Sequence, residues 1–224
     1  MWSLASGPSL GQALNGGCGV SPWSADDDPG GARGLSNRRV GRHDGTVTDD
    51  LTPELSATIA EIFGLRDREH MQPTIEAFLA LLAEHPGQPD VLYEVGGSYD
   101  TAGDEATAAG YYEAALDAGL SGDTLRKCLL QYGSTLRLLG RYEESVSVLD
   151  RALGGWPESP SVRAFHALGL HAAGRSDGAV GELLALVADA VRTPDILRYE
   201  AALHGNAGYL IGLDAARPGS ADAG

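Results

Sequence analysis

Six histidines, two cysteines and scattered carboxylates are the side chains of this 224-residue chain that could bind a metal or move a proton. His166 and His171 lie five residues apart. That spacing turns them to different sides of a helix, where a spacing of four would stack them as ligands. His70, His85 and His204 have no cysteine or second histidine at ligand spacing. The acidic run Asp26–Asp28 lacks the central glycine and closing glutamate of a calcium loop. The glycines of GGCG and DPGGARG do not belong to a GxxxxGK[ST] or a GxGxxG following a strand, so they cannot be read as a phosphate cradle. Ser134 and Thr135 would need a base to act as nucleophiles, and no histidine or carboxylate is placed by sequence to serve them. The residues therefore assign no catalytic group, no metal ligand and no cofactor, and predict that the chain is not an enzyme.

Charge narrows the partners. Lys and Arg number 16 against 31 Asp and Glu, a net charge of −15, so approach to a phosphate backbone or an anionic bilayer is repulsive. Nucleic acid and membrane are excluded as expected partners. No apolar run approaches the roughly 20 residues that cross a bilayer, and the first 20 residues lack the basic start of a secretory signal. Cys18 and Cys128 are too far apart in sequence and setting to suggest a disulfide framework or a zinc site. A soluble protein of the reducing cytoplasm is the expectation.

The elements that position these residues start late in the chain. Residues 1–50 are rich in Gly, Ser, Asp and Arg without helical or strand periodicity. Such a segment buries too little apolar surface to offset its ordering entropy, which predicts a disordered tail and a biological start near Val47. From Thr52 the pattern is helical. Thr52–Pro53 reads as an N-cap with proline at the first helical position, and Leu55, Ile59, Ile62 and Phe63 recur on one face. A second helix over about 72–84 carries Ile75, Phe78, Leu79 and Leu82 and stops at Pro86.

Three stretches then repeat one design: a helix, a turn centred on glycine and a second helix, starting at Val91, Cys128 and Val162. The turn glycines Gly103, Gly140 and Gly174 are separated by 37 and 34 residues. Glycine there supplies the left-handed conformation that reverses the chain. Gly96, Gly133 and Ala167 in the first helices face Ala108, Ser145 and Ala179 in the second, where two backbones must approach closely. Leu92, Val95, Tyr99, Tyr112 and Leu116, with Leu129, Tyr132, Leu136, Leu149 and Leu153, are the expected buried seam.

These positions resemble the tetratricopeptide-repeat consensus of a large apolar residue, Leu-Gly, Tyr, small residues and a closing proline, which Pro157 supplies. Within that superfamily, QYGSTLRLLGRYEESVSVL and RYEAALHGNAGYL are similar to the group 5 tetratrico peptide repeat proteins of bacteria. The resemblance implies an all-α, right-handed superhelical stack of antiparallel helix pairs over residues 51–214. Its expected repeats are about 55–88 (degenerate), 89–122, 126–159 and 160–190, with a closing helix at 194–213 and a disordered tail at 215–224. The third repeat departs from the consensus at Arg163 and His166, where large apolar residues are usual. The last helix, capped by Thr193, should close the stack with one polar face.

By the same resemblance the first helices line a concave groove. Carried over repeat by repeat, its partner-binding residues are Tyr93 and Asp100, then Lys127, Gln131, Ser134 and Arg137, then His171. Gly97, Thr101, Leu130, Leu138, Ala164 and Leu168 complete the wall. Lys127 and Arg137 bring local positive charge to an acidic protein and suit a carboxylate or other anion. Asp100 stands at the repeat position of Arg137, which also allows the two to pair. The function expected is a non-catalytic scaffold that holds a protein or peptide partner in the groove. The alternative is a small-metabolite sensor or enzyme with a pocket between the repeats and the closing helix, built on His171, Tyr199 or His204. Self-association through the concave face is a third outcome.

Overall fold

The computed structural model describes residues 51–217, which form nine α-helices and no strand. They are α1 (Pro53–Gly64), α2 (Gln72–Glu84), α3 (Pro89–Thr101), α4 (Glu105–Asp117), α5 (Gly122–Leu138), α6 (Tyr142–Gly155), α7 (Pro160–Ala172), α8 (Ser176–Ala190) and α9 (Pro194–Ala215). The expected tail over 1–50 and residues 218–224 of the expected tail 215–224 lie outside the described residues, as does Cys18, whereas Ala215, expected in that tail, is the last residue of α9 and Ala216 caps it. Proline opens α1, α3, α7 and α9 behind a polar cap. At α1 the Thr52 hydroxyl accepts the Leu55 N–H at 3.2 Å, and at α3 the buried Gln88 side chain accepts the Val91 N–H at 2.8 Å.

Three helix pairs reverse through the same turn. Gly103, Gly140 and Gly174 have φ of +81°, +77° and +77°. The residue after each donates its N–H five residues back, Asp104 to Tyr99 at 2.9 Å, Arg141 to Leu136 at 2.9 Å and Arg175 to Leu170 at 2.8 Å. This left-handed closure satisfies carbonyls that the helix end would otherwise strand. The pairs α3/α4, α5/α6 and α7/α8 then lie against each other, and α5 also touches α3 and α7. The result is an all-α helical-repeat solenoid.

Close approach within a pair is enforced where the sequence places small residues. A Cβ on Gly133 would stand 2.6 Å from Leu149 Cγ, and the Gly133 carbonyl accepts the buried Ser145 hydroxyl at 2.6 Å. In the preceding pair the Tyr112 ring occupies the space over Gly96, 2.9 Å from where a Cβ would sit. Tyr112, Leu129, Leu136 and Leu149 are fully buried. Around Tyr112 the rings of Tyr93 and Tyr132 lie at centroid distances of 6.2 Å each. The third pair packs Ala167, Leu170 and Ala179 against Val146 of α6, a cluster without aromatic rings. Each of its two departures from the consensus meets a carboxylate. Arg163 reaches Asp189 of α8 at 2.6 Å, and His166 reaches Asp150 of α6 at 3.0 Å.

The closing helix differs from the expected polar cap. It packs along α8 and makes no comparable contact with α7, burying only Ala207 and Asp214. Leu197, Tyr199, Tyr209, Ile211 and Leu213 remain exposed. A single helix neighbour can cover only one stripe of a helix surface, which leaves the remaining apolar side chains in solvent.

Candidate functional site

Three first helices, α3, α5 and α7, present the residues that the repeat register assigns to the groove. At the junction of α3 and α5 they meet in a polar network laid into the aromatic core. The Asp100 carboxylate is buried and accepts the Thr135 hydroxyl on Oδ1 at 3.1 Å and the Tyr112 hydroxyl on Oδ2 at 3.4 Å. The Tyr112 hydroxyl also lies 3.1 Å from Gln131 Oε1. Gln131, half-buried, hydrogen-bonds the Tyr93 hydroxyl in turn. Thus Tyr93, Asp100 and Gln131 come together, joined by Tyr112 and Thr135.

Loss of water shapes the electrostatics here. Burial pushes the Asp100 carboxyl up to about 6; the two hydroxyl bonds hold it down and Glu105 adds to the rise. Glu94, one turn from Asp90, is pushed up to about 7 by burial against the pull of Arg66 and Lys127. The Tyr93 and Tyr112 hydroxyls are raised well above the usual tyrosine range, chiefly by burial. They stay protonated, and the Tyr112 hydroxyl acts as a donor.

Arg137 stands apart from this network. Asp100, its counterpart one repeat earlier, is engaged by hydroxyls and not by the guanidinium. Arg137 Nη2 lies 3.5 Å from the Ser134 hydroxyl, and its Nε is buried with no hydrogen-bond partner. Burial lowers its pKa, opposed by Tyr142. Ser134 itself is buried beneath it. Leu138 and Leu168, at positions the repeat register assigns to the groove on α5 and α7, are 49% and 43% exposed.

The remaining assigned residues sit differently. Lys127 is exposed and holds Asp123 of its own helix at 3.0 Å, alongside Arg126 at 2.8 Å. Much of its charge is therefore answered within α5. His171 is exposed at the end of α7. His204 lies 3.3 Å from Asp189, which also holds Arg163, and Tyr199 is exposed on α9. No described hydrogen bond or ion pair joins His171, Tyr199 and His204. Among the described residues no three His, Cys, Asp or Glu side chains are grouped to hold a metal, and no helix is long and apolar enough to cross a membrane.

Sequence reasoning gave Tyr112 a packing role and passed over Thr135 as a ligand of Asp100. Thr135 is the repeat equivalent of Ser98, and both hydroxyls bond the carbonyl four residues back, at 2.9 and 2.8 Å. That local habit is visible in sequence. The second contact, across to α3, depends on the distance between neighbouring repeats and leaves no pattern in the chain.

The register of turns, the small-residue contacts and the stacked first helices agree with one comparison. A family model described as Tetratrico peptide repeat matches residues 89–207, more than half of the chain. The chain belongs to this family. The match runs from the first residue of α3 to Ala207, one of the two buried residues of α9, so this tetratrico peptide repeat protein carries the network and Arg137 inside the matched region. A comparison with curated proteins finds no match.

Proposed function

We propose that this tetratrico peptide repeat protein is a non-catalytic interaction module that holds an extended or helical segment of a protein partner against α3, α5 and α7. The observation that carries the reading is Arg137, a half-buried guanidinium whose Nε lacks a partner and whose repeat counterpart, Asp100, is already committed to Thr135 and Tyr112. A guanidinium with free donors, together with exposed leucines at groove positions, favours a segment that brings a carboxylate and apolar side chains together. Arg137 sets orientation, Leu138 and Leu168 supply apolar contact, and Gln131 and Tyr93 add directional hydrogen bonds. Partner binding by Tyr93, Lys127, Ser134 and His171 belongs to the same reading, with Ser134 acting through Arg137.

Selection of a displayed random-peptide library on the immobilised chain tests this. Sequences pairing acidic and apolar residues should be enriched on the native protein. Arg137→Glu should abolish that enrichment while leaving helical circular dichroism unchanged. Equal enrichment of the same sequences on both proteins would refute the groove assignment.

A further inference from the structure

A helical stack needs an end whose outer face is polar, and α9 does not offer one. Gly178 meets Asp214 and Gly181 meets Ile211, so α8 and α9 pack antiparallel along a line through Ala207. About a quarter-turn from that line run Tyr199, Leu203, Asn206, Leu210 and Leu213, at spacings of four, three, four and three, with Tyr209 beside them. On α8 and its cap, Val180, Leu184, Val187 and Val191 repeat spacings of four, three and four. They too lie about a quarter-turn back from the face shared with α9, and in an antiparallel pair equal rotations come out on one side. The two stripes therefore make one apolar surface. Helix α7 does not cover it, since α7 meets α8 elsewhere, through Ala179 and Asp189. Tyr199 and Tyr209 are 55% and 65% exposed, with Val180, Val187, Val191 and Leu213 also open. These exposures leave roughly 700 Å² uncovered, above the largest patch of a typical monomer and close to the ~800 Å² that each side of a stable interface buries.

We infer that a second copy of this chain docks on this surface, α9 against α9 across a two-fold axis at Asn206. Two chains of net charge −15 repel, so they can meet only on a face without carboxylates. The stripe from Tyr199 to Leu213 has none, because the nearby charges of α9 are held aside, Glu200 by Arg192 at 2.9 Å and His204 beside Asp189 at 3.3 Å. The stripe is also self-complementary. Antiparallel pairing about Asn206 sets Tyr199 against Leu213 of the second copy and Leu203 against its Tyr209, and alternating spacings of three and four are those of helices packed at a shallow angle. Asn206 then meets itself. Its Nδ2 donates to the Ala202 carbonyl at 2.8 Å, which leaves the second N–H and Oδ1 for the same pair on the other copy. One polar residue within an apolar seam fixes the register of the pair at some cost in affinity. The face on α3, α5 and α7 takes no part. Two grooves per assembly would add avidity for a partner carrying two segments; that consequence rests on the groove reading, and the docking does not.

Analytical ultracentrifugation of the full chain from about 1 to 100 µM, a span that covers micromolar affinities, should show the mass rising from 23.3 kDa to twice that value. Tyr209→Glu changes a side chain that is mostly in solvent within one copy, so circular dichroism should be unchanged while the mass stays at 23.3 kDa throughout. A cross-link tests the axis. In a chain carrying Cys18→Ser, Asn206→Cys should join two copies by a disulfide under mild oxidation, since the two-fold brings the paired Cβ atoms together. Gly205→Cys, on the far side of α9 with open space around it, should not. The inference is overturned if the native chain is monomeric across the range, whether another segment of this chain or another protein covers the face. It is equally overturned if a dimer survives Tyr209→Glu, or is lost with Arg137→Glu, which would put self-association in the groove. Should Tyr209→Glu lose helicity, the cross-link decides: no disulfide at 206, or as much at 205, rejects the docking.

Discussion

Arg175 grips Asp214 through two hydrogen bonds to a single carboxylate oxygen, at 2.9 and 2.7 Å, and so ties the start of α8 to the last turn of α9. Arg217 returns the contact to Asp177 at 2.7 Å. Asp214 is buried, and its other oxygen has no partner. Asp214→Ala should therefore free α9 selectively, at a cost of about 1–3 kcal/mol, because Arg175 is partly solvated and recovers some hydration. Hydrogen exchange checks it. Amides of α9 should exchange faster while those of α3 to α6 keep their protection, and a uniform acceleration along the chain would count against a local clasp.

Glycine to alanine substitutions should split into two classes. At Gly133 the new methyl meets Leu149 at 2.6 Å, and overpacking of about 1–3 kcal/mol outweighs the gain in helix propensity. At Gly208 on α9 the methyl meets nothing within 4 Å, so the same change should stabilise by about 0.5–1 kcal/mol. Urea midpoints moving in the same direction for both variants would contradict this account.

The contrast between these two glycines also marks what the sequence could disclose. Gly133 recurs at a fixed offset from a turn glycine, and its repeat equivalents Gly96 and Ala167 are equally small, so close helix packing was legible from spacing alone. The boundaries of α2 and the start of α9 were legible for the same reason, since a proline or a cap stood at each. The groove was less so. Register placed Asp100 and Arg137 at one repeat position, but which of them finds a partner depends on how far α5 stands from α3, and no local pattern encodes that. The exposed apolar side of α9 was missed because amphipathic spacing reports that a helix has an apolar face without reporting how many neighbours arrive to cover it.

Acidity should stabilise the fold before it weakens it. The folded value for Asp100, about 6, lies above its ordinary 3.8, and that for Glu94, about 7, lies above 4.5. Between those limits the folded chain holds protons that the unfolded chain has released. Stability therefore falls as pH rises through the window and recovers as pH drops from about 7 toward 4. Asp100→Asn should flatten part of this slope and gain on the order of 3 kcal/mol at the upper end, the rise from 3.8 to about 6 taken at about 1.4 kcal/mol per unit. Urea unfolding at a series of pH values decides it; a native slope of opposite sign, or one unaltered by the substitution, would reject the assignment.

Cys128 is buried, and burial pushes its thiol up to about 12. Thiolate, not thiol, is the nucleophile, so iodoacetamide at mild alkaline pH should leave the Cys128 peptide unmodified until the chain is unfolded. Labelling of that peptide at native urea concentrations, read by mass spectrometry, would show the helix pair to be looser than its packing implies.

Because each helix pair leans chiefly on its sequence neighbours, the chain resists a pulling force in series. The aromatic packing around Tyr112 lies towards one end of that series, and the Ala-rich third pair lies towards the other. Every link of such a series carries the same tension, so the thinnest contact yields first. Among the described helices that is α1 on α2, while α9, caught on α8 by Arg175 and Asp214, should hold longer, so extension should begin at the N-terminal end of the stack.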